Sequence, residues 1–139
     1  MKVPDIRIRE GKNYVYDPVR RKEIVLTPEE WVRQYVIAYL HQVKEIPFGL
    51  MSVEKKIQVG QLLRRYDVLV YKNDKPWMIV ECKEEREKLS DAVLQQVLSY
   101  TSVLQLSYIV VTNGETVRCY DIARGHWMHE FPDYRGLNE

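Results

Sequence analysis

The sequence is poor in nearly everything that would mark a special class of protein. Its 139 residues hold only 2 cysteines, 6 glycines and 6 prolines, with no repeat, no low-complexity tract and no Ser/Gly linker. So few glycines and prolines in a chain that is 45% hydrophobic exclude collagen-like and disordered classes. Apolar runs such as Trp77 to Val80 and Tyr108 to Val111 are strand length, far short of the ~20 residues that cross a bilayer. Cys82 and Cys119 each lie in an apolar, strand-like setting, where cysteine acts as a small buried hydrophobe, so no disulfide framework is expected. His126 and His129 lack the paired spacing of a zinc site. The N-terminus, Met1-Lys2-Val3-Pro4-Asp5, has no apolar segment of the signal-peptide kind, and a cytoplasmic protein is expected.

An excess of one charge is missing too. The formal net charge is +1, which by itself suggests no polyanionic partner. Its distribution is uneven: residues 1–75 carry 15 basic and 10 acidic residues (+5), and residues 76–139 carry 6 and 10 (−4). Such asymmetry points to an electrostatic surface.

What is present is a pattern of alternating elements. Ile6 and Ile8 alternate with Arg7 and Arg9 before Gly11, and Tyr14 to Tyr16 follow, which predicts an N-terminal hairpin. Thr27 as N-cap, Pro28 at the first helical position and Glu29 and Glu30 in the first turn predict a helix. Trp31, Tyr35, Val36, Tyr39, Leu40 and Val43 give it an apolar stripe, and it should end before Pro47. Strands are predicted at Val53 to Val59, Tyr66 to Tyr71 and Trp77 to Lys83, with turns at Gly60 and Asn73-Asp74. Ser90 should cap a second helix with apolar positions from Val93 to Leu104, followed by strands at Tyr108 to Thr112, Val117 to Asp121 and Trp127 to Phe131. This order predicts an α/β fold, a mixed sheet flanked by helices. One domain is expected over 1–139, with an N-terminal extension at 1–26, a core at 27–121 and a C-terminal strand and tail at 122–139.

Three charged residues interrupt apolar strands. Asp67 opens Val68-Leu69-Val70, while Glu81 and Lys83 close Trp77-Met78-Ile79-Val80 and, two apart, share a strand face. Unpaired buried carboxylates are costly, so these groups need partners. Two carboxylates beside an amine suit a hard divalent cation such as Mg²⁺ or Mn²⁺, with the Cys82 carbonyl as a further oxygen. Standing alone, a Glu-x-Lys tripeptide usually means a surface ion pair; the apolar run before it and the placement of Asp67 argue otherwise.

The sequence resembles the PD-(D/E)xK nuclease superfamily, and within it the N-terminal nuclease domain of type I restriction enzyme endonuclease (R) subunits. The residues that carry the likeness are Tyr16 to Arg20, Thr27 to Gln34, Tyr66 to Tyr71, Ile79 to Lys83, Gln96 to Tyr100 and Val111 to Gly114. The resemblance implies a restriction-endonuclease-like fold, DNA as substrate and Asp67 and Glu81 as metal ligands with Lys83 as catalytic lysine. It also implies catalytic-site roles for Gln96 and Tyr100, which match a Gln-x-x-x-Tyr motif. Where the superfamily name has proline before the aspartate, this chain has Tyr66. Glu30 has two readings that do not exclude each other, a helical metal ligand of the superfamily type or the glutamate of a Thr27-x-x-Glu30 capping box. Arg20, Arg21, Lys22, Lys55, Lys56, Arg64 and Arg65 are candidate phosphate contacts. Alternatives are a nuclease fold that binds without turnover and a regulatory module docking on a partner subunit; no Gly-rich phosphate loop of a translocase occurs in the chain. A homodimer would let two single sites cut both strands.

Overall fold

The computed structural model describes residues 1–54, 56–99 and 104–135, with the backbone alone at 57, 59, 62 and 64. Its centre is a six-stranded mixed sheet. The strands are β4 (Met51–Val53), β7 (Val68–Lys72), β8 (Lys75–Cys82), β9 (Tyr108–Thr112), β10 (Val117–Asp121) and β11 (His126–Met128), in spatial order β11-β10-β9-β8-β7-β4. Among the described strands of this sheet, only β8 and β9 pair in parallel. The connection between them crosses one face of the sheet and carries helix α2 (Asp91–Leu98).

Alternation along the strands assigns each face its helix. Val68, Val70, Met78, Val80, Cys82 and Val110 pack with Val32, Val36, Ile37 and Leu40 of helix α1 (Pro28–Gln42). The intervening Leu69, Ile79, Ile109 and Val111 pack with Val97 of α2 and with Leu106. Both faces of β7, β8 and β9 are covered, which explains their near-continuous apolar runs. Asn73 and Asp74, both at positive φ (53° and 61°), make the tight turn that joins β7 to β8. Among the described residues no helix is long and apolar enough to cross a membrane.

Three strands, β1 (Ile6–Arg9), β2 (Lys12–Asp17) and β3 (Lys22–Val25), form a separate antiparallel sheet. An Asp17 turn joins β2 to β3, with Asp17 Oδ1 accepting from the Val19 and Arg20 amides at 2.7 and 2.9 Å. The strand expected over Val53 to Val59 is two strands. Glu54 adopts positive φ (54°) and ends β4, and the chain then forms a separate hairpin of β5 (Lys56–Val59) and β6 (Leu62–Arg65) around Gly60. The last strand starts at His126 and stops at Met128, so Phe131 lies beyond it and packs on the α1 side. Helix α2 ends at Leu98, and Leu104 lies outside it; Val103 is outside the described residues.

Both thiols are buried, and Cys82 and Cys119 lie on the α1 side of the sheet. Burial drives the Cys82 thiol well above its usual range and the Cys119 thiol up to about 12, with nearby acids adding to both shifts. Burial likewise pushes the Tyr66 phenol up to about 12. An acid whose folded pKa is raised binds more protons folded than unfolded above its unfolded pKa, so stability falls as pH rises through that window. For the thiols the window opens at about pH 8.5, with a slope of at most ~1.4 kcal/mol per pH unit for each. Thermal melts at pH 7.5 and 9.5 are expected to show the loss. A colorimetric thiol reagent at pH 8 is expected to leave both cysteines unreacted until denaturant is added.

Candidate active site

The end of β8 builds the site. The antiparallel ladder pairs Val68 with Val80, so one step further Asp67 comes beside Glu81. The polar contact confirms this approach: Asp67 Oδ2 accepts from the Cys82 amide at 2.7 Å. Asp67 therefore sits in a bend just ahead of β7. Glu81 is the penultimate residue of β8, buried on the face that Ile79 shares with α2, and Lys83 follows at the strand's end. The Lys83 amide donates to the Thr112 carbonyl at 2.8 Å, holding that end against β9. From α2, Gln96 and Val97 close the other side. Together with Glu29, Arg33, Glu54 and Arg65, these residues line one cleft of about 510 Å³.

The structure thus gathers Asp67, Glu81, Lys83 and Gln96 around one space. Tyr100 and Lys55 lie outside the described residues, as does the side chain of Arg64. Cys82 contributes only backbone on this side, because its thiol is buried among the α1 residues.

Glu30 is placed elsewhere. It is buried, and its carboxylate accepts from Arg20 Nη2 at 3.0 Å, Arg33 Nη1 at 2.7 Å and Gln34 Nε2 at 3.1 Å. Half of the capping box forms, with the Glu30 amide donating to Thr27 Oγ1 at 3.0 Å, while the Glu30 side chain serves the arginines. The glutamate of α1 that lines the cleft is its neighbour Glu29. Burial and the charge of Asp67 raise the Glu29 pKa, against the opposing charges of Arg33 and Lys83. One residue along a helix is a rotation of about 100°, which separates a network glutamate from a cleft glutamate.

Behind the cleft runs an ion network that the motifs did not announce. Arg33, 5% exposed, donates Nη2 to Asp67 Oδ1 at 2.7 Å and Nη1 to Glu54 at 3.0 Å as well as to Glu30. Arg20 bonds Asp17 at 2.6 Å and also reaches Glu30 and Glu54. Burial opposes the Arg33 charge, yet the hydrogen bond to Asp67 and the charges of Asp67, Glu30 and Glu54 outweigh it and raise the pKa. Arg20 is raised in the same way, burial opposing and Asp17 and Glu30 prevailing. Arg20, expected on phosphate, is thus largely buried in this network. Arg21, Lys22, Lys56 and Arg65 are exposed.

The match to known families rests on the same stretch of chain. Residues 28–133 match the family of the type I restriction enzyme R protein N terminus (HSDR_N). The chain belongs to that family. A fragment assigned to an HsdR subunit of a type I restriction enzyme from Vibrio vulnificus shares the fold, with a TM-score of 0.57 and 24% identity over 77% of this chain. The chain spans 24% of the length of that fragment. No curated protein matches it. The sheet β1-β2-β3 precedes the family match, whereas α1, β4 to β10 and the cleft all lie within it.

The donor set suits a divalent cation in kind: Glu29, Asp67 and Glu81 supply the hard carboxylate oxygens that Mg²⁺ and Mn²⁺ prefer. Among the described residues, no three of the His, Cys, Asp or Glu side chains are gathered closely enough to enclose an ion. Mg²⁺ keeps several waters and commonly takes only one or two protein carboxylates, so an open arrangement is compatible with it.

Proposed function

We propose that this R-protein N-terminal domain is a metal-dependent nuclease that hydrolyses phosphodiester bonds in DNA at the cleft between β8 and α2. The observation that carries the reading is the convergence of Asp67, Glu81 and Lys83, three charged residues on strand ends, in one polar cleft. Asp67 and Glu81, with Glu29 from α1, would hold a Mg²⁺ or Mn²⁺ ion. Such an ion, when bound, acidifies a water and offsets charge on phosphoryl oxygens.

The remaining steps belong to the protein. Lys83 orients the attacking water and stabilises the negative charge that develops on the phosphate. Arg33 and the Cys82 amide fix the two oxygens of Asp67, which leaves that carboxylate little rotational freedom to lose when it binds a cation. Gln96 lines the α2 wall, where it can touch the substrate.

A second reading, a nuclease fold that binds DNA without cutting it, is favoured by one observation: the Arg33 guanidinium already neutralises Asp67. Incubation of supercoiled and linear DNA with Mg²⁺ or Mn²⁺, beside an EDTA control, separates the two. Cleavage that requires the ion is expected. Asp67 has structural partners, so Asp67→Ala confounds folding with chemistry, and Lys83→Ala is the cleaner control. Cleavage that survives both substitutions would sink the assignment.

A further inference from the structure

The β5–β6 hairpin stands apart from the central sheet and carries two cations on its described face. Its strands pair with each other and with no other described strand. An isolated two-stranded hairpin is marginal in water. Lys56 lies directly opposite Arg65, and Gln58 opposite Leu63, so these four side chains share a face. All four are exposed, Leu63 by 58%. Two like charges directly opposite each other weaken a strand pair. An exposed leucine beside them gains nothing from water. Arg65 also pairs with Glu54 at 3.9 Å yet stays 59% exposed, and the exposed cations with the leucine beside them suit a polyanionic partner with apolar contact points.

Size narrows the partner. Strands of four residues are about 13 Å long, and a ribbon with its side chains is roughly 10 Å thick. That fits the ~12 Å major groove of B-DNA and exceeds the ~6 Å minor groove. Position narrows it too, since Arg65 lines the cleft that holds Asp67, Glu81 and Lys83. A duplex held by the hairpin would therefore present its backbone to the cleft.

Resting on the nuclease reading above, we propose that the β5–β6 hairpin is a DNA arm that enters the major groove beside the cleavage site. Lys56 and Arg65 bind the phosphates bordering the groove. Leu63 meets thymine methyl groups, and Gln58, whose Nε2 donates to the Gly60 carbonyl at 2.9 Å, keeps its amide oxygen for an exocyclic amine of adenine or cytosine. Gly60 (φ 61°) permits the tight tip.

The test is fluorescence anisotropy of the full chain in EDTA with a labelled 20-bp DNA duplex, titrated across a range of salt. The Lys56→Ala/Arg65→Ala variant is expected to bind at least about tenfold more weakly at low salt. Its slope of log affinity against log salt should be shallower by roughly 1.8, two phosphate contacts at ~0.9 each. Leu63→Ser should weaken binding and leave the slope unchanged. Guanine N7 in the site should be protected from methylation by dimethyl sulfate, because N7 lies in the major groove. An unchanged slope in the double variant, unprotected N7, or equal affinity for the same sequence as an RNA duplex would overturn the arm, since the A-form major groove is too narrow to admit a ribbon. Those outcomes leave the nuclease reading standing. Failure of the unmodified protein to bind any DNA duplex would remove both.

Discussion

Arg33→Met is expected to destabilise the protein by about 3–5 kcal/mol, the usual cost of removing one partner from a buried ion pair. The size follows from what Arg33 leaves behind. Its guanidinium contacts Asp67, Glu30 and Glu54, and both Asp67 and Glu30 are buried. Methionine fills similar volume without charge, so the loss reports electrostatics more than a cavity. Glu30 keeps Arg20 and Gln34 as partners, while Asp67 keeps the Cys82 amide. The main penalty thus falls on Asp67. Against a total stability of about 5–15 kcal/mol, the expected loss lowers the melting temperature by roughly 10 °C or more. Urea unfolding followed by circular dichroism measures it. A loss below about 1 kcal/mol would show that the pairs behave like exposed ones.

Lys83→Ala is expected to reduce DNA cleavage by at least about 10²-fold while leaving the melting temperature within a degree or two, on the scale of losing one electrostatic or proton-handling group in a preorganised site. The separation of the two readouts rests on the structure. Lys83 is partly exposed at the lip of the cleft, and the bond that anchors it to β9 is made by its backbone amide, which alanine retains. Lys83→Arg should recover little, because the planar fork of arginine does not reproduce a compact ammonium. Single-turnover cleavage at saturating protein isolates the chemical step. A variant that cleaves like the parent would move the chemistry away from the end of β8.

The site was legible where charge conflicted with burial. Asp67, Glu81 and Lys83 interrupt apolar strands, and the strand period alone places Glu81 and Lys83 on one face. The order of elements was legible for the same reason, since covered strands and a capped, striped helix leave distinct patterns. Arg33 was not. An arginine three residues after a glutamate reads as a surface pair, and only the docking of α1 against β7 turns it toward Asp67. The resemblance pointed to Glu30 alone; that Glu29 lines the cleft instead depends on the rotation of α1 about its axis, which its broad apolar stripe does not define to within one residue. The break at Glu54 was hidden because Lys55, Lys56 and Ile57 continue a plausible strand, and the positive φ falls on a residue type that gives no warning.

The acids of the cleft are expected to collect a divalent cation. Titration of Mn²⁺ into the full chain by calorimetry, compared with Glu81→Gln of unchanged melting temperature, reads this without reference to turnover. One saturable site in the parent, weakened at least about tenfold in Glu81→Gln, is the expected result. Equal binding by both proteins, or none by either, would contradict it.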